Sequence, residues 1–454
     1  MVSSGLSLLH ELDSISCSLK VVGSIGRLLD LLPTSKFKGY EYICTGIERI
    51  INNTIDEYIL SSSIPSTNQS LDNNIIHQLN EQLRKGLSYQ YQSSWGFILT
   101  LFICFISKLN EHYGELVTSS ILSVEEFAKD NHQKYQPVAL EVISKAVEVI
   151  GVDKVLKILP LNLHEPITSL DRREWLIPVL KQSISGSTLH YFSTSIIPLT
   201  NLLSNQIKTA EKENDFVLAK NIKIILHQIW ELFPSFCIFP KDIHENFNKI
   251  AKVLGKILSE DAVLRIVVCQ GLINLIQLNY QIIHPDVHFN LHKFGQSHQY
   301  HTISTSTTPN VSKKQAQENL KSLSSFSKNY LPILFNIYCT SKEEDLSELN
   351  KLNNQDRSII YSTIHSFIII SDKPVIDSFF SSLLKKNLEI KSSDKADVTN
   401  KAFLTELSQA FVDSIDKNQL DFLFKVVKPQ LSVRFFFLPA PFVNYLSNVL
   451  LSCF

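Results

Sequence analysis

The chain has 454 residues, of which 44% are hydrophobic and 19% charged, and its formal net charge is −1. That length accommodates two or three globular domains or one continuous repeat array, and the apolar content is that of a folded chain rather than a disordered one. A near-neutral balance excludes a globally basic, phosphate-gripping surface, because each neutralised phosphate needs its own Lys or Arg. Isolated pairs such as Lys313-Lys314 and Lys385-Lys386 read as solvated surface.

Glycine is scarce, at 13 residues, against an average near 7%. Few positive-φ positions disfavour hairpin-rich β folds and suit helices joined by short loops. The seven cysteines (17, 44, 104, 237, 269, 339 and 453) are scattered among apolar neighbours with no CxxC pair, so they read as free thiols rather than a zinc or redox site. No basic n-region opens the chain, and Glu11 and Asp13 interrupt its first apolar stretch, unlike a secretory signal. The most apolar run, 95–106, is shorter than the roughly 20 residues a spanning helix needs. The apolar stretch 435–454 carries Pro439 and Pro441 near its start and reads as a buried helix edge. A soluble, intracellular chain without a membrane partner is expected.

In chain order, 61–74 is Ser/Asn-rich and reads as a loop. Between Pro137 and Gly151 the apolar residues Ala139, Ile143, Ala146 and Ile150, with Leu140 and Val147, form one helical face. Pro137 suits the first turn and Gly151 a left-handed cap. Asp153 is expected to cap a second helix that Pro160 stops. Asp171 with Glu174 has capping-box spacing, and Gly186 should close the helix that follows. The next helix starts at Leu189 and should bend at Pro198. Asp215 caps a helix burying Leu218, Ile222, Ile225, Ile229 and Leu232, ended by Pro234. Another starts after Pro240 and buries Phe247, Ile250, Leu254 and Ile257. Ser259 is expected to cap the one after that. Residues 296–312 read as a disordered, Ser/Thr-rich loop, and 391–400 as a weaker polar break. Helices of 10 to 20 residues with short punctuated turns and no convincing strand define an all-α chain of antiparallel helix pairs, a HEAT/armadillo-like superhelical solenoid. No strict repeat of fixed sequence is present, only repeated architecture, and an irregular bundle is the competing arrangement.

Chemistry-bearing motifs are missing. Neither GxGxxG nor GxxxxGK[ST] occurs, and the Gly23-Ser-Ile-Gly26 run is not a nucleophile elbow. Glu125-Glu126 and Glu343-Glu344 sit in surface-like contexts. His288 and His292 have metal-compatible spacing within the group His284, His288, His292, His298 and His301, but without a Cys partner and beside a polar loop they read as solvated. His227 reads as a helix histidine. Trp175, Trp230, Phe233 and Phe236 read as core rather than as a base-stacking platform. No catalytic, cofactor-binding or metal residue is assigned.

Several blocks in order carry a family resemblance: Arg173-Glu-Trp-Leu-Ile-Pro-Val179, then Tyr191-Phe192 with Ile197-Pro198-Leu199, then Gln228-Ile-Trp-Glu-Leu-Phe-Pro-Ser-Phe-Cys237 with Pro240 and Asp242. Leu264-Arg-Ile-Val-Val-Cys-Gln-Gly-Leu272 and Asn329-Tyr-Leu-Pro-Ile-Leu-Phe-Asn336 continue the series. Between about 135 and 390 the chain resembles the ribosomal RNA-processing protein 12 family of nucleolar HEAT-repeat proteins. The resemblance implies a non-enzymatic scaffold in ribosome biogenesis, assisting pre-rRNA processing and the assembly and nuclear export of subunits, the small one especially. It implies pre-ribosomal particles as partners, with protein and RNA components, and nuclear transport factors including a Ran-type GTPase. No small-molecule substrate or cofactor is implied, and the expected location is the nucleus and nucleolus. It also divides the chain into N-terminal repeats (1–130), the family-characteristic domain (131–390) and further helices of a truncated array (391–454). Family members are longer and often have a basic tail, so this chain is expected to act through protein surfaces more than as a strong RNA binder. Its signature residues Trp175, Pro178, Pro198, Trp230, Pro234, Cys237, Arg265, Cys269, Gln270 and Pro332 are expected to be structural. An importin-like transport or trafficking adaptor is the alternative on the same architecture, and an enzyme would require a convergent constellation that the sequence does not show.

Overall fold

In the computed structural model the apolar stripes pair helix with helix, and the described residues are 14–34, 37–55, 60, 74–129, 134–166, 169–287, 311–339, 354–390 and 395–433. Among them there are helices and turns but no strand. The chain divides into two compact units, Met1–Ser187 and Thr188–Phe454.

The first unit holds α1 (Ser14–Asp30), α2 (Phe37–Thr54), α3 (Ile75–Lys85), α4 (Trp95–Ser107), α5 (Thr118–Ala128), α6 (Gln136–Ile150), α7 (Val152–Ile158) and α8 (Leu176–Ser183). Odd and even helices separate into layers: α1 packs on α3 and α3 on α5, while α2, α4, α6 and α8 stack in succession. This alternation is what a helix-pair solenoid requires, because each pair buries its apolar face only against its neighbours. Helix α4 buries a broad face through Ile98, Leu99, Leu101, Phe102, Phe105 and Ile106. Pro137 stands in the first turn of α6, whose buried stripe is Ala139, Val142, Ile143, Ala146, Val147 and Ile150. Leu140 is only half-buried.

Several local expectations are corrected here. Gly151 takes positive φ (105°) but with ψ 144°, so it joins α6 to α7 in an extended conformation and itself occupies the N-cap of α7. Asp153 lies inside the first turn instead. The Asp171–Glu174 capping box does not form: α8 starts at Leu176 with no side-chain cap, and Glu174 pairs with Arg172. Helix α8 ends at Ser183, and Gly186 takes its left-handed φ of 60° three residues later.

The second unit contains α9 (Leu189–Tyr191), α10 (Ile197–Lys212), α11 (Phe216–Trp230), α12 (Phe233–Phe236), α13 (Ile243–Glu260), α14 (Ala262–Ile283), α15 (Lys313–Ser324), α16 (Ser327–Cys339), α17 (Asn354–Ile370), α18 (Lys373–Glu389), α19 (Lys395–Gln409) and α20 (Lys417–Val433). A π-helical turn, Phe192–Ile196, joins α9 to α10 and ends just before Pro198, with Ile197 N–H reaching back to Phe192 O. Proline cannot supply the helical N–H, and the widened turn absorbs that loss where a bend was expected. Asp215 caps α11 through Leu218 N–H. Ser259 lies within α13, and Asp261 caps α14 through Val263 and Leu264 N–H. Ile257 is half-exposed, while Leu258 is buried in its place. Residues 395–400 belong to α19, not to a polar break.

Helix α14 is 22 residues long and apolar enough to cross a membrane by length and composition. Its neighbours account for that character, because α11, α12, α13, α15 and α17 all pack on it. Buried polar pairs then fix its register: Gln277 Nε2 donates to Ser366 Oγ at 3.1 Å, and Asn319 Nδ2 to Asn279 Oδ1 at 3.0 Å. Unpaired, these groups would each cost ~1–3 kcal/mol, so a shifted alignment of α14 against α15 or α17 is penalised.

Candidate functional site

Trp230, Pro234 and Cys237 meet in one seam of the second unit. Trp230 closes α11 and stands edge-on to Phe192 at 6.0 Å, while Phe192 lies 5.2 Å from both Phe233 and Phe236. Pro234 sits in the first turn of α12, where it needs no N–H partner, and its carbonyl accepts from Asn274 Nδ2 at 2.9 Å. Phe233 and Cys237 press against the backbone of α14 at Gly271: a Cβ there would stand 2.5 Å from Phe233 Cδ1 and 3.1 Å from Cys237 Sγ. Glycine is the residue that lets α12 approach this closely.

The other signature residues lie apart from that seam. Cys269 is fully buried on α14. Arg265 Nε donates to Leu258 O at 2.7 Å, and burial lowers its pKa. Gln270 is half-buried, Pro198 exposed at the π turn, and Pro332 exposed in the middle of α16. In the first unit Trp175 is half-buried at the start of α8 and Pro178 is exposed.

Glu125 is not a surface carboxylate. Its side chain is 7% exposed and receives Arg173 Nε at 2.6 Å and Lys129 Nζ at 2.6 Å. Burial works to raise its pKa, but the hydrogen bonds from Arg173 and Lys129 outweigh this and hold the carboxyl below its ordinary value. Arg173 also donates to Pro160 O at 2.9 Å, so it ties α5 to the loop entering α8. A comparable knot in the second unit joins α16, α17 and α19. Arg357 lies 3.9 Å over the Phe403 ring and donates to Tyr338 O at 2.9 Å. Burial raises the Glu406 carboxyl there, partly offset by a Tyr338 hydrogen bond and by Arg357.

Burial pushes the Cys44 and Cys269 thiols up to about 12, Cys339 to about 11, and Cys237 well above its usual value. Such thiols are packing groups at neutral pH, since the thiolate is the reactive form. Among the described residues no group of three His, Cys, Asp or Glu side chains is placed to hold a metal ion. His284 is exposed, 4.5 Å from the Tyr280 ring, whereas His288, His292, His298, His301 and the Glu343-Glu344 pair lie outside the described residues.

Two surfaces stand out. A groove of about 760 Å³ between α16, α18 and α19 is lined by Pro332, Phe335, Cys339, Phe379, Leu383 and Leu404. Helix α11 buries Ala219, Ile222, Ile225 and Ile229 but turns Phe216, Val217 and Ile224 to solvent, 66%, 73% and 50% exposed, beside Lys220 and Lys223. Sequence reading found the buried stripe of α11 and missed this outer one, although the absence of any Asp or Glu from 216 to 230 was a visible signal.

Stacked helix pairs with tightly packed seams define a helical-repeat solenoid protein. Residues 38–341, about two thirds of the chain, match the model for "Ribosomal RNA-processing protein 12, HEAT repeats", and the chain belongs to that family. The match begins well before residue 135 and takes in α2 to α5. The chain is similar to the RRP12-like protein of Homo sapiens (24% identical over 353 residues, 78% of this chain and 24% of that protein). It is also similar to ribosomal RNA-processing protein 12 of Saccharomyces cerevisiae (22% over 403 residues, 87% and 30%). A third relative is the putative ribosomal RNA-processing protein 12 of Schizosaccharomyces pombe (27% over 241 residues, 53% and 18%). The chain spans about a quarter of the length of these relatives.

Proposed function

We propose that this chain is a non-enzymatic scaffold of ribosome biogenesis, presenting helical-repeat surfaces to pre-ribosomal particles during ribosomal RNA processing. The observation that carries the reading is the family match over 38–341, which runs through stacked helix pairs in both units. Solenoids act by extended, shape-based contact, and the thiols and buried carboxylates described above are engaged in packing and pairing. The finer reading assigns the chain to assembly and nuclear export, of the small subunit especially. Its partners would then be transport factors including a Ran-type GTPase, and its location the nucleus and nucleolus. In this reading Trp175, Pro178, Pro198, Trp230, Pro234, Cys237, Arg265, Cys269, Gln270 and Pro332 serve the fold rather than chemistry.

The test is to tag the full chain, isolate it from its own cells, and identify the RNA and proteins that come with it, alongside its location. Precursor ribosomal RNA with assembly factors is the expected result. A cytoplasmic or nuclear-envelope location with a transport GTPase and no ribosomal precursor would replace the reading with that of a transport adaptor.

A further inference from the structure

The outer face of α11 is unlike an ordinary solvated helix face. On a helical projection Val217, Lys220 and Ile224 follow i, i+3, i+7 spacing, with Phe216 and Lys223 together along one flank, while Ala219, Ile222, Ile225 and Ile229 occupy the opposite side. Single exposed apolar residues need no explanation, but a contiguous stripe marks an interaction surface. The lysines give it a sign. Neither Lys220 nor Lys223 makes an ion pair among the described residues, and α11 carries no Asp or Glu to balance them. Acidic residues lie beyond its two ends, at Glu211, Glu213 and Asp215 before it and at the C-cap Glu231 after it, and Asp215 is committed to the cap. Those carboxylates, and a face with more apolar than cationic side chains, fit a phosphate backbone poorly, since nucleic acid is held by rows of cations.

We propose that this face of α11 docks an acidic amphipathic segment of a partner protein, apolar side chains seating along Phe216, Val217 and Ile224 and carboxylates meeting Lys220 and Lys223. This names a partner chemistry for the scaffold role proposed above and rests on that reading. The stripe from Phe216 to Ile224 is ~12 Å long, the span of two helical turns. A partner helix with apolar residues at i and i+7 and Glu or Asp between them matches it, in the manner of other helix-recognition surfaces.

To test it, a photoreactive benzoylphenylalanine replaces Val217, Ile224 or, as a control, Lys256 on α13, in the tagged full chain within its own cells. After irradiation the adducts are sequenced by mass spectrometry. The expected adduct from 217 and 224, but not from 256, is a protein segment rich in carboxylates and apolar residues. The double variant Lys220→Glu/Lys223→Glu should lower its yield about tenfold without changing the melting temperature, because both side chains are exposed and unpaired. RNA adducts, adducts with a second copy of this chain, a basic or neutral segment, no adduct, or a yield insensitive to charge reversal would each overturn the proposal. If acidic adducts form but no ribosomal precursor co-purifies, the surface stands and the ribosomal reading fails. If precursors co-purify and adducts are missing, the reverse holds.

Discussion

Gly271→Ala is expected to destabilise the second unit, against the usual direction of that substitution. In an unobstructed helix interior alanine is favoured over glycine by roughly 0.5–1 kcal/mol. At 271 the new methyl would stand 2.5 Å from Phe233 Cδ1, with Cε1 nearer still, and 3.1 Å from Cys237 Sγ. Carbon pairs rest at about 3.5–4.0 Å, so α12 must retreat from α14 by roughly 1 Å. Phe233 cannot swing aside, because its ring is fully buried against Phe192. Overpacking of this kind costs about 1–3 kcal/mol, which on balance outweighs the propensity gain and leaves a net loss of about 1 kcal/mol. Gly255→Ala is the control in the same unit: its Cβ would meet the Tyr330 ring at an ordinary 3.6 Å, so it should be neutral or mildly stabilising. Urea unfolding followed by circular dichroism measures both. Pairing Gly271→Ala with Phe233→Leu should recover part of the loss, a coupling of about 1 kcal/mol in a double-mutant cycle. A Gly271→Ala variant as stable as the parent, or a pair whose losses simply add, would refute the close approach of α12 to α14.

Glu125→Gln should cost the first unit about 3 kcal/mol at pH 7, since it leaves a largely buried guanidinium without its counter-charge. Because the folded Glu125 pKa lies below the unfolded one, its contribution is complete above the unfolded value and is lost as pH falls through the folded one. Acid melting curves of the parent and of Glu125→Gln should therefore converge below the ordinary carboxylate range. Asp261→Ala should cost about 1 kcal/mol as the loss of a cap. Ser259→Ala, whose hydroxyl donates to carbonyls of its own helix, should change thermal stability very little. A thiol reagent at pH 7 should leave Cys237 and Cys269 unmodified until the chain unfolds, whereas half-exposed Cys104 should react before them; mass spectrometry of labelled peptides distinguishes these sites.

The helical stripes were legible because each is written within one segment: Pro137 with Ala139, Ile143 and Ala146, or Asp215 ahead of Ile222, Ile225 and Ile229. Caps were legible only where no nearby group competed. Asp171 and Glu174 have capping-box spacing, yet Arg172 takes the Glu174 carboxylate, and the helix starts later without a cap. Ser259 reads as the next cap, but α13 runs on to Glu260, so Ser259 stays inside that helix and Asp261 caps α14 instead. Contacts between distant segments had no signal in a single sequence. Glu125 and Arg173 are 48 residues apart, and in isolation Glu125 looks like one of a solvated acidic pair. Gly271 likewise reads as a weak spot in a helix until Phe233 is seen against it.

The start of α9 is held from far along the chain. Thr188 supplies a local cap to Tyr191 N–H, but Leu189 and His190 N–H donate to the carboxylate of Asp242, which also accepts from Asn246. Residue 242 lies 53 positions after 189. During synthesis α9 and its π turn therefore leave the ribosome before the group that completes their hydrogen bonding has been made, and that end of the second unit has to wait, partly capped, for α13 to arrive.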